Sequence, residues 1–279
     1  MTRHQQLLGM ALLFIAGMTG LGIWAVLSPR PDADLSQPAH WNSMRVGYAI
    51  EAPFAFVDDR GEVTGEAPEV FRAVAGRLGI RDIDWIRLDF ASLLPELQVG
   101  RVDAVVSGLY VTTERQRQAA FSRPTARIRT ALVHRANDIR LPSQAQQLDA
   151  ALEGDTGLRW AAINASFEEA RLLEQGMTED RLQRVQDVFT ALGALRDGSV
   201  DMFVISELTA RHHGGALREH GLVYRTLEAE PAGRPAFAFR HGDEALRQAI
   251  DAELARFLGS AEHLDLVNRF GLARQELVP

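Results

Sequence analysis

Arg115, in the stretch Thr112-Thr113-Glu114-Arg115, is the side chain with the clearest chemical use. A guanidinium donates two parallel hydrogen bonds to a carboxylate in a fixed fork, a geometry that a lysine ammonium does not copy. The residues just ahead of it read as a short buried strand that closes on a small-residue turn at Ser107 and Gly108. A strand ending in free backbone N–H groups, with an arginine a few residues on, is a means of holding a carboxylate. Other strand ends supply complementary groups. Glu51, Pro53 and Phe54 follow the first strand, Asp89 and Phe90 the third, and Tyr110 lies beside the Gly108 turn. In the second half the corresponding residues are Asn164 to Phe167, then Ser206 and Glu207. Binding crevices in open α/β sheets form beyond the carboxyl ends of the strands, so these residues share one end of the fold. Together they offer one cation for an anion, a carboxylate for a cation, and aromatic faces that attract desolvated cations. Such a set suits a compact zwitterion whose cation is delocalised or alkylated. Plainer roles stand beside these: core packing for each Phe, a solvated loop for Glu51, and a surface ion pair with Glu114 or Glu169 for Arg115.

The positioning elements alternate. Residues 44–49 and 83–88 read as strands, and Val70, Phe71, Val74 and Leu78 repeat at helical spacing until Gly79. Residues 91–99 read as a helix stopped by Gly100. In the second half, 158–163, 182–185 and 200–205 read as strands and 166–175 and 188–196 as helices. This alternation implies α/β units with mostly parallel sheets. Residues 243–271 read as helical, with an apolar stripe through Leu246, Ile250, Leu254 and Phe257. One pattern occurs twice: Leu94-x-x-Leu97-x-x-Gly100-x-Val102-Asp103 returns as Leu192-x-x-Leu195-x-x-Gly198-x-Val200-Asp201. The repeat suggests two α/β lobes of similar build.

Composition removes several chemistries. The chain has 279 residues, 46% hydrophobic and 24% charged, ample for a sizeable core. A net charge of −7 without a basic stripe argues against nucleic acid. No cysteine is present, which excludes disulfides, thiol nucleophiles and thiolate metal sites. No lysine is present either, which excludes Schiff-base chemistry and a P-loop lysine. His212 and His213 are adjacent, so on a helix they diverge by about 100° and serve one metal ion poorly. No metal or cofactor is expected.

Residues 1–30 read as a targeting segment. Arg3 and His4 precede an apolar run from Leu7 to Leu27, which as a helix is about 31 Å long, enough to span a bilayer core. A cleaved signal peptide and a retained membrane anchor both fit, and both export the remainder. Residues 31–43, rich in Pro, Asp, Ser and Gln, read as a linker.

Three stretches carry a family resemblance: RVGYAIEAPFAFVDDRGEVTGEAPEVFRAVAGRLGI, GRVDAVVSGLYVTTERQRQAAFSRP and GSVDMFVISELTAR. From about residue 44 to 272 the chain resembles the family 3 extracellular solute-binding proteins, the two-lobed receptors of polar amino acid uptake systems. The resemblance implies a two-lobed periplasmic-binding-protein (Venus flytrap, type II) fold preceded by an N-terminal hydrophobic helix. Lobe one would comprise 44–130 plus 235–279 and lobe two 131–234, with crossing segments near 128–133 and 234–239 as hinge. It implies an extracytoplasmic component of an ABC importer, partnered by a permease, with no catalytic residue. Arg115 would bind the ligand carboxylate, Gly108 would give backbone contacts, and Ser166 would add a hydroxyl and N–H groups at a helix start. Two departures stand out: Ser206 occupies the place of a frequent amino-binding Asp, and Tyr110 that of a small hydroxyl residue. Both resemble the ectoine and hydroxyectoine branch, in which Glu51, Phe54, Phe90, Tyr110 and Arg115 match the ligand box. The resemblance also leaves two alternatives. One is an enzyme like the cyclohexadienyl dehydratases, with Glu51 or Glu207 as acid–base carboxylate. The other is an anchored ligand sensor.

Overall fold

The computed structural model describes residues 41–138, 147–153 and 157–278. The apolar run of 7–27 and most of the linker lie outside the described residues. Among the described residues no helix is long and apolar enough to cross a membrane.

The first half runs β1 (Ser43–Tyr48), β2 (Phe56–Val57), β3 (Val63–Thr64), α1 (Glu66–Arg77), β4 (Asp82–Arg87), α2 (Leu93–Gln98), β5 (Ala104–Val105), α3 (Thr113–Gln116) and β6 (Ala120–Phe121). The second half runs β7 (Thr130–Arg135), α4 (Leu148–Glu153), β8 (Trp160–Ile163), α5 (Phe167–Glu174), β9 (Leu182–Val185), α6 (Val188–Asp197), β10 (Met202–Ser206), α7 (Glu207–His212), α8 (Gly214–Glu219) and β11 (Leu222–Thr226). The chain then returns to the first half as β12 (Ala238–Phe239), α9 (Glu244–Phe257) and α10 (Ala261–Asn268).

Each half is built on one five-stranded sheet, ordered β4-β1-β5-β12-β6 in the first and β11-β7-β10-β8-β9 in the second. β1 pairs in parallel with β4 and β5, and β8 in parallel with β9 and β10. The strands next to the crossings between halves, β7 and β12, pair antiparallel to their neighbours. The sheets are covered on both faces, so their central strands are apolar at successive positions. Along β5, Ala104 and Val106 join the cluster of Phe71, Phe237 and Phe257, while Val105 joins Leu93 and Leu97 on the other face. Along β10, Phe203 and Ile205 pack with Val188 and Leu195, and Met202 and Val204 with Trp160 and Leu172. The alternation follows from the two-residue side-chain period of a strand.

The repeated Gly-x-Val-Asp motif forms the same clip in both halves. Asp103 accepts the Arg45 backbone N–H at 2.9 Å and the Arg45 guanidinium at 2.9 Å, and Arg45 also donates to Gly100 O at 2.8 Å. Asp201 accepts the Arg159 N–H at 3.0 Å and its Nε at 3.4 Å, and Arg159 donates to Gly198 O. In each case the Asp pins the start of a parallel strand to the turn after the preceding helix.

Sequence spacing places most elements within a few residues, with two corrections. The sheets are mixed rather than mostly parallel, because the strands at the crossings run back against their neighbours. Residues 243–271 are not one helix but two, α9 and α10. The break is at Gly259, whose φ of 79° is left-handed, and Ser260, whose hydroxyl caps α10 by accepting the His263 N–H. A Gly followed by a capping Ser is a stop and a start, and the unbroken apolar stripe concealed it.

Glu66 opens α1 and is fully buried. Neither carboxylate oxygen reaches hydrogen-bond geometry, although the Thr125 hydroxyl is close enough to favour the charged form. Burial pushes the carboxyl from its ordinary 4.5 up to about 7. A raised acid holds its proton in the folded state while the unfolded chain releases it. Its contribution is therefore neutral below about pH 4.5 and increasingly destabilising up to about pH 7. Glu66→Gln should accordingly raise the melting temperature relative to the parent at pH 8, with the gain shrinking toward pH 5. Thermal melts of the two proteins across that range measure it.

Candidate functional site

The carboxyl ends of β1 and β5 face those of β8 and β10 across a cleft between the halves. From the first half the cleft is lined by Glu51, Phe54, Phe90, Gly108, Tyr110 and Arg115. From the second it is lined by Ile163, Ser166, Phe167, Glu168 and Ile205. The space left between them is about 10 Å³, room for roughly one water, so the cleft is closed.

Each side chain is aimed by local structure. Glu51 sits in a tight turn where its N–H and C=O both bond Ala55, at 2.8 and 3.1 Å. The Ser107 hydroxyl clasps the end of β1, accepting the Ala49 N–H at 2.8 Å and donating to Ala49 O at 3.2 Å. Gly108 follows with φ 63°, and a Cβ there would lie 2.6 Å from the Phe54 ring. Only glycine lets the turn and the ring approach so closely. Thr112 caps α3 by accepting the Arg115 N–H at 3.1 Å, which fixes where the arginine leaves the chain.

Arg115 is 8% exposed and spans the cleft. It donates through Nη1 to Tyr110 O at 2.8 Å and through Nη2 to Ala165 O, in the second half, at 2.8 Å. Its guanidinium carbon lies 5.6 Å from the Phe90 ring centre. Ala165 presents its carbonyl from a left-handed turn, φ 61°, unusual for a residue with a side chain. Its N–H donates to the Glu169 carboxylate at 2.5 Å, and Ser166 caps α5 by accepting the Glu169 N–H at 3.0 Å. A second link crosses the cleft. The Ser206 hydroxyl donates to Thr209 Oγ1 at 2.8 Å, and the Thr209 hydroxyl donates to Glu51 at 2.8 Å.

Aromatic rings enclose the charged groups. Tyr110 meets Phe54 edge-on with ring centres 6.2 Å apart, and packs on Phe167 of the opposite half at 5.4 Å. Exclusion of water shifts every titration. Burial, reinforced by Glu168, pushes the Glu51 carboxyl up to about 7, against the Thr209 hydrogen bond and the Arg115 charge. Burial also pushes Glu168 up to about 7, against its own backbone N–H, Arg115 and the Ser166 hydroxyl. Desolvation brings Arg115 down to about 10 despite the nearby acids.

Seven of the residues singled out in sequence meet at this cavity: Glu51, Phe54, Phe90, Gly108, Tyr110, Arg115 and Ser166. Ser206 stands behind the wall and reaches the cleft only through Thr209 and Glu51. Glu207 points elsewhere, half-buried beside Arg211 at 3.2 Å. The plainer role for Arg115, a surface pair with Glu114 or Glu169, does not hold. Glu114 pairs with Arg117 at 2.6 Å and Glu169 with Arg184 at 2.5 Å. His212 and His213 meet edge-to-face with ring centres 5.0 Å apart, and no group of three or more metal-binding side chains occurs among the described residues. Four lining residues, Ile163, Phe167, Glu168 and Ile205, were not among the expected ligand contacts; the two isoleucines are strand residues of the core. Phe167 was visible as a strand-end residue. Glu168, an acid in the first turn of a helix, reads in sequence as ordinary helix-dipole chemistry.

Gly108→Ala should lower the melting temperature by several degrees, because the methyl meets the left-handed backbone and the Phe54 ring together. Repacking would move Phe54 into the cavity. Melting curves and the Phe54 position in a crystal structure of the variant check both effects.

Comparison with known proteins agrees with this architecture. The sequence profile of the bacterial extracellular solute-binding proteins, family 3, matches residues 44–273. A probable amino-acid-binding protein of Bacillus subtilis, YxeM, is 31% identical over 65% of this chain and 66% of its own length. A probable amino-acid ABC transporter periplasmic-binding protein of Sinorhizobium fredii, y4tE, is 28% identical over 59% of this chain, and the match spans only about half, 54%, of that relative. The crystal structure of EhuB in complex with hydroxyectoine superposes with a TM-score of 0.79 at 28% identity, covering 86% of this chain and 93% of that one. The ancestral amino acid-binding protein AncCDT-1, a precursor of cyclohexadienyl dehydratase, has a TM-score of 0.72 at 20% identity, over 85% and 98% of the two chains. That last likeness is one of fold alone. With its two α/β lobes and the profile match over most of its length, this chain belongs to the family 3 bacterial extracellular solute-binding proteins.

Proposed function

We propose that this chain is the extracytoplasmic binding component of an ABC importer and that its ligand is a small organic carboxylate bearing a delocalised or alkylated cation. The observation that carries the reading is the convergence, in one closed cleft, of a desolvated arginine, buried carboxyls and aromatic rings from both halves. The ligand carboxylate turns toward Arg115 and the start of α5 at Ser166, where helix N–H groups favour an anion. The cation lies against Phe54, Phe90 and Tyr110 with Glu51 as counter-charge. Relatives named as amino-acid-binding proteins, and a neighbour solved with hydroxyectoine, support that chemical class.

The lobes in this reading are 44–130 with 235–279, and 131–234. They are joined where Ile128 and Gly233 exchange backbone hydrogen bonds of 2.9 and 2.8 Å. Ligand contacts with both lobes favour the closed form over the open one, and a permease reads the difference. The run of 7–27 directs export, as a cleaved signal or as an anchor, and the protein turns over no substrate.

A second reading has one observation in its favour. Glu51, in the cleft, has a carboxyl near 7, suited to acid–base elimination of the cyclohexadienyl dehydratase kind. Product formation from prephenate or arogenate separates that reading from binding, and none is expected.

Arg115→Ala should remove most of the affinity for a carboxylate ligand, on the order of 2–5 kcal/mol. Titration calorimetry of parent and variant with ectoine and with polar amino acids measures it. An unchanged dissociation constant would sink the assignment of Arg115 to the carboxylate.

A further inference from the structure

The ligand scheme just given uses one carboxyl of the cleft and leaves a second without a role. Glu168 is 6% exposed, lines the cavity and lies at the first turn of α5. It lines the cavity opposite Glu51, and its charge raises the cost of ionising Glu51 in a space of about 10 Å³. Arg115 is the basic side chain lining the same space, and two of its N–H groups are already committed to Tyr110 O and Ala165 O. With both acids ionised, the lining therefore carries two negative charges against one positive.

Tyr110 gives an independent sign that something polar belongs here. Its ring is 5% exposed and lines the cavity, yet its hydroxyl makes no hydrogen bond of full geometry, the Ser206 hydroxyl being the near neighbour. The Ser206 hydroxyl gives its own proton to Thr209 and accepts the Thr209 N–H, so it is shared rather than dedicated to Tyr110. A buried hydroxyl so weakly partnered leaves room for a ligand group to bond it.

We propose that Glu168 is a specificity-determining residue that selects ligands by charge, and that the preferred ligand carries a net charge of +1 rather than zero. This rests on the cleft reading above and extends it. The ligand carboxylate answers Arg115, its first cationic group answers Glu51, and its second answers Glu168. A neutral zwitterion satisfies the first two and leaves Glu168 facing Glu51 unscreened, in a medium where an unpaired charge is expensive. Like charges set against each other are a means of rejecting the wrong ligand. The cation is thus met by one acid from each lobe, so it favours closure as well as binding.

The test is calorimetry on the full-length protein with pairs of probes that differ in charge and little in shape: L-arginine against L-citrulline, and L-ornithine against L-glutamine, with ectoine as a further neutral zwitterion. The cationic member of each pair should bind at least tenfold tighter. Glu168→Gln should bring the ratio close to one, mainly by weakening the cationic member, while Glu168→Asp keeps the preference. Arg115→Ala should weaken both members alike, since both carry the carboxylate. Far-ultraviolet circular dichroism and melting curves establish that each variant is folded. Neutral probes that bind as tightly as their cationic partners, or a ratio unchanged by Glu168→Gln, overturn charge selection while leaving the cleft assignment intact. Tight binding of ectoine with uptake of a proton also overturns it, since Glu168 would then be neutralised by protonation instead of by the ligand. If Arg115→Ala leaves binding unchanged, or no probe of either charge binds, the cleft reading itself fails and charge selection with it.

Discussion

Burying one guanidinium between two lobes is the constraint on which the site depends. Arg115 is almost wholly removed from water, and a charge so placed persists only when its hydrogen-bond capacity is met locally. One carbonyl comes from each half. The rest of the local structure follows from that requirement. Thr112 fixes the point of departure of the side chain, and the Phe90 ring covers one face of the guanidinium. Ala165 accepts a left-handed backbone that glycine would adopt more readily, and in doing so turns its carbonyl into the cleft. Its strain is offset by the Glu169 carboxylate and by the cap that Ser166 places on α5.

The opposite wall is organised by acids rather than by the arginine. The relay from Ser206 through Thr209 to Glu51 gives that carboxyl a partner from the far lobe. Ser206 thus serves as a positioning hydroxyl, and the acids that line the cleft are Glu51 and Glu168. The tyrosine at the centre belongs to both the pocket and the crossing. A Cβ on Gly233 would come within 2.0 Å of the Tyr110 ring, so the returning segment must pass directly beneath it. The same residue that walls the cavity therefore touches the strand pair that joins the lobes.

Much of this was legible in sequence because strand ends can be read without knowing the fold in detail. Apolar runs of four to six residues located β1, β8 and β10, and the residues after them were by that fact candidates for one crevice. Glu51 was found in this way after β1, and Tyr110 and Arg115 after the shorter β5. The repeated Gly-x-Val-Asp motif was a weak signal that became a strong one once Asp103 and Asp201 were seen to make the same bonds. What could not be read was direction. Ser206 ends a strand as Glu51 does, yet its hydroxyl turns back along its own helix. Glu168 lies on a helix turn whose inward face depends on how the two lobes meet, a long-range packing outcome that local spacing does not encode. The break at Gly259 was missed because the apolar stripe continues across it.

The paired aspartate clips carry a consequence for motion. Each lies within a single lobe, at the amino-terminal ends of the parallel strands, and neither reaches across the cleft. Relative movement of the two lobes, as the proposed binding role requires, would therefore leave both clips made. The lobes are joined where Ile128 and Gly233 exchange backbone hydrogen bonds, so in the proposed role flexing would fall on the crossings rather than on the clips. In the proposed role, a ligand that draws the lobes together would then be felt as rotation of two intact bodies rather than as deformation within either.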